Sequence, residues 1–223
     1  MSKRTALITG GARGIGAAIA AEFSGKGFDV LTPARAELDL SSRESVEAFL
    51  AGGPELPVDV LVNNAGINFL KALPELDTAT WDTMLQVNVT SPLRLIQAFA
   101  PGMQSRKWGR ILNVSSIFGI VTKERRAAYS MTKSALNAMT RSAAVELGPA
   151  GVLVNALCPG YVETALTRQN NTPDEIRAIE ASIPLQRMAE SHELARVAYF
   201  LCSEENSYLT GQAIAVDGGF TCK

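Results

Sequence analysis

Short apolar runs alternate with longer helix-patterned segments along the whole chain, and this alternation constrains the fold most. Residues 5–9, 29–33, 58–63, 110–115, 152–158 and 212–216 are rich in Val, Ile and Leu, as strands buried on both faces are. Helical patterns lie between them, at 14–26, 42–50, 78–86, 88–106, 127–147, 173–182 and 192–203. Such an order predicts βαβ units, a parallel sheet and helices on both of its faces. No linker of Pro, Ser or charge-rich composition divides the 223 residues, so residues 1–223 are expected to form one α/β domain.

Composition removes several classes of function. The 21 basic and 22 acidic residues leave a net charge of −1, which gives no basic surface for nucleic acid. Cys158, Cys202, Cys222 and the single His192 are too scattered for a zinc site. An odd, widely spaced cysteine set suits a reducing cytoplasm. The apolar stretch at 5–9 is too short for a secretory core, and no run approaches the ~20 apolar residues of a membrane span. A soluble cytoplasmic enzyme is expected, without a membrane or nucleic-acid partner. Two helices point to a different partner. Segment 127–147 carries only Lys133, Arg141 and Glu146 as charges, and segment 88–106 only Arg94 and Arg106. A helix apolar nearly all round is buried on more than one side, which predicts contact with a second subunit.

Residues 9–16 read Thr-Gly-Gly-Ala-Arg-Gly-Ile-Gly, between the first strand and the first helix. Glycines there let the backbone turn tightly and approach a pyrophosphate, and the free N–H groups of a helix start hold the anion. The spacing is G-x3-G-x-G, and no Lys-Ser/Thr pair follows to make a nucleoside-triphosphate loop. Gly10, Arg13, Gly14, Ile15 and Gly16 are therefore expected at a dinucleotide. A merely structural turn is the competing reading.

Tyr129 and Lys133 open a long helix at a spacing that puts both on one face. An ammonium beside a phenol favours phenolate, so the Tyr129 pKa is expected below its ordinary value of about 10. That would make Tyr129 a general acid and base near neutral pH. Ser115 and Ser116 end the strand before it, where open α/β sheets gather ligands. A Ser116 hydroxyl there could polarise a carbonyl against Tyr129; a cap or turn is its ordinary alternative. Asn64, Ala65 and Gly66 follow the third strand and permit close approach of a ring. Asn88 reads in isolation as the N-cap of the next helix.

Taken together these pieces resemble the short-chain dehydrogenase/reductase family, close to its 3-oxoacyl-acyl-carrier-protein reductase members. The motifs are TGGARGIG at 9–16, NNAG at 63–66, Asn88, NVSS at 113–116, YSMTK at 129–133, PGYVET at 159–164 and VDGG at 216–219. They cover nearly the whole chain in family order. The resemblance implies a single-domain Rossmann-type, doubly wound sheet. It implies hydride transfer between a nicotinamide and a carbonyl or secondary alcohol, in a small-molecule ketone that could be carrier-linked. A 3-oxoacyl thioester is the leading substrate class, and a ketone of sugar or secondary metabolism the second. A non-catalytic dinucleotide sensor on the same fold is the reading from another class. The resemblance also implies a catalytic set: Tyr129 as proton donor, Ser116 rather than Ser115 as carbonyl-polarising hydroxyl, Lys133 on the nicotinamide ribose, and Asn88 holding a relay water near Lys133. Pro159, Gly160, Val162 and Thr164 are implied at the carboxamide and phosphates, Asp39 and Leu40 at the adenine. Assembly as a homotetramer or homodimer through segments 88–106 and 127–147 follows from the same likeness.

NADP is favoured over NAD. Relatives that prefer NAD carry an Asp at the end of the second strand, and the matching position here is Ala34. Arg35 follows it and Arg13 lies in the glycine loop, and two guanidiniums suit a ribose 2′-phosphate. Glu37 as a ribose acid is the competing reading for NAD. Residues 161–190 are expected to form a substrate lid, including the polar tract 168–172, with Phe118 and Tyr161 lining the pocket. The run 123–126, Lys-Glu-Arg-Arg, reads as a solvated loop or as a contact for an anionic substrate. His192 reads as a surface residue.

For this family 223 residues is short, and the deficit has a place. Only one or two residues separate the second strand from segment 36–40, which resembles the third strand of relatives. A parallel crossover needs about a dozen residues. The helix between them is therefore expected to be absent, segment 36–40 to be a loop or vestigial edge, and the sheet to keep six principal strands, ordered 2-1-4-5-6-7 in family numbering.

Overall fold

Strand β1 (Thr5–Ile8) is buried at every residue, and its side chains divide by alternation. Ala6 and Ile8 point into one apolar cluster and Leu7 into another. The same division runs through β3 (Val58–Asn63), β4 (Gly109–Val114) and β5 (Val152–Pro159). Val60, Val62, Leu112, Val114 and Leu157 join the first cluster, with Ile19 and Phe23 of α1 (Gly14–Gly25) and Leu194, Ala198 and Leu201 of α7 (Ser191–Cys202). Leu61, Ile111 and Val154 join the second, with Val46 of α2 (Arg43–Gly52), Leu95 and Met103 of α4 (Ser91–Ser105), and Ala143 of α5 (Ala127–Leu147). Two apolar layers thus sandwich one sheet, as the uninterrupted apolar strands require.

The computed structural model describes residues 3–53, 57–164, 167 and 172–222. Among them β2 (Asp29–Leu31) and β8 (Ala213–Val216) form the edges of a six-stranded sheet, ordered β2-β1-β3-β4-β5-β8. Every pairing in it is parallel. This is the expected order with the third family strand missing. Segment 34–38 is a turn in which Glu37 and Leu38 both donate their N–H groups to the Ala34 carbonyl at 2.9 Å. Leu38 and Leu40 then drop into the second core layer, and Ser42 caps α2 by accepting the Ser45 N–H.

Two features depart from the sequence reading. A short second sheet pairs β6 (Val162–Glu163) with β7 (Ala189–Glu190) and encloses α6 (Pro173–Ser182) between them. Asn88 is not an N-cap: α3 (Thr78–Leu85) runs into α4 through a π-helical turn, Gln86–Thr90, with Asn88 buried inside it. A π-turn inserts a residue into the helical ladder and re-aims its side chains. Of the polar tract expected in the lid, positions 168–171 lie outside the described residues.

Candidate active site

The strand order reverses between β1 and β3, which both pair with neighbours on opposite sides. Ligands of open α/β sheets collect at the carboxyl ends of strands at such a point. The loops leaving β1 and β3 meet there. Thr9 donates its hydroxyl to the Val62 carbonyl at 3.4 Å and accepts the N–H groups of Asn64 and Ala65 at 3.0 and 3.1 Å. The Asn64 amide donates to the carbonyls of Thr9 and Gly10 at 2.9 and 3.2 Å. Gly10 and Gly14 have φ of 66° and 56°, and a Cβ on Gly16 would stand 2.3 Å from the Gly10 carbonyl. Arg13 occupies the N-cap of α1 without a side-chain cap bond, so the first N–H groups of that helix remain available to an anion. Beyond Gly14 the space is open until the Thr164 methyl, 3.8 Å from an added Cβ. This cradle fits a pyrophosphate, with Gly10, Arg13, Gly14, Ile15 and Gly16 on its wall and Thr164 facing it. Gly160 joins the β5 exit to Asp217, which a Cβ would strike at 2.7 Å. Pro159 ends β5 and Val162 is buried in β6.

One strand over, Ser115 and Ser116 have different tasks. Ser115 turns inward and donates to the Lys133 carbonyl at 3.1 Å. Ser116 accepts the Phe118 N–H at 3.1 Å, and its hydroxyl faces the Tyr129 phenol and pulls that group toward ionisation. The structure therefore brings Ser116, not Ser115, to Tyr129. Lys133 lies behind the ring, with its ammonium 5.6 Å from the Tyr129 ring centre, and donates to the Val114 carbonyl at 2.7 Å. A Cβ on Gly66 would stand 3.3 Å from Asn88 Oδ1 and 3.4 Å from Lys133 Nζ, so the NNAG loop, Asn88 and Lys133 converge. Asn88 accepts the Ile67 N–H at 2.9 Å and donates to the Ile67 carbonyl at 2.9 Å and to Thr132 Oγ1 at 3.1 Å.

The expected direction of the Tyr129 pKa is wrong. Burial raises it above the ordinary phenol value and outweighs the opposing pulls of Ser116 and Arg126. Lys133 is not among the groups that pull it down, and its own ammonium is desolvated and drops to about 8. In this state Tyr129 is a held proton, the form a donor needs.

In the turn after β2 Glu37 is engaged, accepting the Ala34 N–H at 2.7 Å. Arg35 pairs with Asp39 at 3.1 Å while its side chain stays 81% exposed. Asp39 also accepts the N–H and hydroxyl of Ser41 at 2.9 and 2.6 Å, which hold its carboxyl below the usual range. Leu40 is buried, and its carbonyl accepts the Ser91 hydroxyl at 2.7 Å. Sequence reasoning missed Thr9 and Thr132, which lock the two loops and the π-turn; each sits inside a quoted motif without a chemistry of its own. His192 pairs with Glu190 on the surface, as expected. All three cysteines are free. Among the described residues no His, Cys, Asp or Glu cluster could hold a metal, and no helix is long and apolar enough to cross a membrane.

The chain is similar to known reductases and dehydrogenases along nearly its whole length. The profile of a family described as enoyl-(acyl carrier protein) reductase matches residues 32–221. The 3-oxoacyl-acyl-carrier-protein reductase of Aquifex aeolicus is 36% identical, covering 97% of this chain and 96% of its own. The acetoacetyl-CoA reductase of Shinella zoogloeoides is 35% identical, covering 97% and 98%. The structure of a gluconate 5-dehydrogenase from Burkholderia cenocepacia in complex with NADP and tartrate superposes with a TM-score of 0.90 at 28% identity, covering 100% of this chain and 97% of that one.

Proposed function

The chain belongs to the short-chain dehydrogenase/reductase family, and from that premise we propose that it is an NADP-dependent enzyme interconverting a ketone and a secondary alcohol. One observation carries the reading: the Ser116 hydroxyl faces the Tyr129 phenol at the carboxyl end of β4, with Lys133 one helical turn behind. The dinucleotide, when bound, supplies the hydride that forms the new C–H bond. Ser116 and Tyr129 orient the carbonyl oxygen between two hydroxyls, and Tyr129, kept protonated by burial, delivers a proton to that oxygen. Lys133 would bind the ribose hydroxyls of the dinucleotide and restore the proton to Tyr129, and Asn88 aligns the NNAG loop against it.

The glycine cradle, Asn64, Ala65, Gly66, Pro159, Gly160, Val162 and Thr164 would hold the dinucleotide. Arg13 and Arg35 would take its 2′-phosphate, with Asp39 and Leu40 at the adenine. Engagement of Glu37 by Ala34 supports NADP, since a carboxylate already capping a turn is a poor ribose ligand. Residues 161–190 are proposed as the lid over a single catalytic domain. Leu93, Met131 and Val145 remain exposed on α4 and α5, which supports assembly with further copies of the chain. A cytoplasmic location accords with three free cysteines.

A 3-oxoacyl thioester is the first substrate class, on the strength of the reductases matched at full length. A second class, the ketone of a sugar acid, is favoured by the gluconate 5-dehydrogenase superposition and by two cations beside the pocket, Lys123 and Arg126. The test is NADPH oxidation with acetoacetyl thioesters, keto acids, ketoses and quinones. Turnover that survives Tyr129→Phe would overturn the assigned chemistry.

A further inference from the structure

Arg126 lies three residues before Tyr129, at the N-cap position of α5. Its guanidinium carbon stands 5.1 Å from the Phe118 ring centre. That ring is 6.4 Å from both Tyr129 and Tyr161, and Tyr161 is 5.5 Å from Phe220. Phe118, Tyr129, Tyr161 and Phe220 thus form one edge-to-face chain of rings that includes the proton donor. Arg126 is half-buried, and its buried Nε–H has no hydrogen-bond partner. The charges that act on it are those of Tyr161 and Tyr129, not of any carboxylate. Lys123 enters from the same loop, donates to the Tyr161 hydroxyl at 3.2 Å and lies 5.7 Å over its ring. Among the described residues neither cation has an acidic partner.

A buried guanidinium N–H without an acceptor is costly, and native structures seldom keep one without a use. Its planar fork matches a carboxylate, and partial shielding from water strengthens the pairing. We propose that Arg126 and Lys123 form an anion subsite inside the ketone pocket, and that the substrate is a short ketone carrying its own carboxylate. The position of Arg126, one ring from Tyr129, sets the distance. A carrier phosphate lies a whole pantetheine arm from its thioester carbonyl and falls outside that reach. This inference rests on the ketone-reductase reading and chooses a substrate class within it.

The experiment compares acids with their neutral esters: acetoacetate and levulinate against methyl acetoacetate and methyl levulinate, with the N-acetylcysteamine thioester of acetoacetate as a third arm. Wild-type enzyme should favour the acids by about 10-fold or more in kcat/KM, the worth of one charge-assisted contact. Arg126→Met should lower kcat/KM for the acids by about 30-fold or more and leave the esters within about 3-fold, and Arg126→Lys should recover part of the loss. Calorimetry adds a readout free of turnover: levulinate should bind the NADPH-loaded Tyr129→Phe protein and bind more weakly once Arg126→Met is added. Preference for the esters or the thioester overturns the anion subsite and leaves the reductase reading intact. Equal losses on acid and ester with a displaced pH profile would assign Arg126 to Tyr129 instead. No turnover of any ketone would remove both readings.

Discussion

Lys133 donates its ammonium proton to the Val114 carbonyl at 2.7 Å, which ties α5 to the carboxyl end of β4. The bond holds the cation in a dry site, and desolvation lowers its pKa to about 8. A depressed lysine loses its proton as pH rises through that value. Tyr129 shifts the other way and keeps its proton over the same range. Ketone reduction should therefore be level below about pH 8 and fall by about tenfold per unit above it, in kcat/KM, which reports the free enzyme. Rates measured with NADPH between about pH 6 and 10 check this. A profile still flat at the alkaline end would remove Lys133 as the titrating group.

Tyr129→Phe deletes the proton donor and keeps the ring that packs at 6.4 Å against Phe118. Turnover should fall by about a hundredfold to ten-thousandfold. NADPH affinity, followed by cofactor fluorescence, should stay within about 3-fold, because Lys133 and the glycine cradle are untouched. A matching loss of cofactor affinity would mean that the ring, not the hydroxyl, carries the effect.

Much of this arrangement was legible in the sequence, for identifiable reasons. Strands buried on both faces show as unbroken apolar runs, so β1, β3, β4 and β5 fall within a residue or two of expectation. The missing third strand could be found by counting, since a crossover has a minimum length. Ser116 could be chosen over Ser115 because the family resemblance sets the spacing to Tyr129. Other features leave no local pattern. The π-turn at Asn88 sits between two ordinary helical periodicities that conceal it. Two-residue strands such as β6 and β7 lie below any periodic signal. The Tyr129 pKa went the wrong way because its sign depends on burial depth, whereas spacing to Lys133 reports only a face.

On the proposed reading, coenzyme choice rests on the turn that replaces the missing strand and helix. Arg35 is largely exposed, paired only with Asp39, and can swing to a phosphate, whereas Glu37 is held by the Ala34 N–H. Arg13→Ala and Arg35→Ala should each lower kcat/KM for NADPH by about 10-fold or more and change that for NADH by less than about 3-fold. Glu37→Ala should leave the NADPH to NADH ratio as it is. A gain of NADPH preference in Glu37→Ala would restore the carboxylate as a ribose ligand.

Asn88 joins three parts of the site at once. Its amide spans both backbone groups of Ile67 at 2.9 Å and reaches Thr132 Oγ1 at 3.1 Å, on the helix turn that carries Tyr129 and Lys133. The residue is buried, so Asn88→Ala strands the buried Thr132 hydroxyl and the part-buried backbone groups of Ile67. Each should cost about 1–3 kcal/mol, and Tm should fall by about 2–4 °C for every kcal/mol lost. Thr132→Val removes one acceptor and should cost less. Activity should fall further than stability in Asn88→Ala, because the NNAG loop loses its register against Lys133 while the sheet stays whole. Thermal melts and kcat/KM on the same preparations separate the two effects. An Asn88→Ala protein with wild-type Tm would show that the π-turn holds its shape without this bridge.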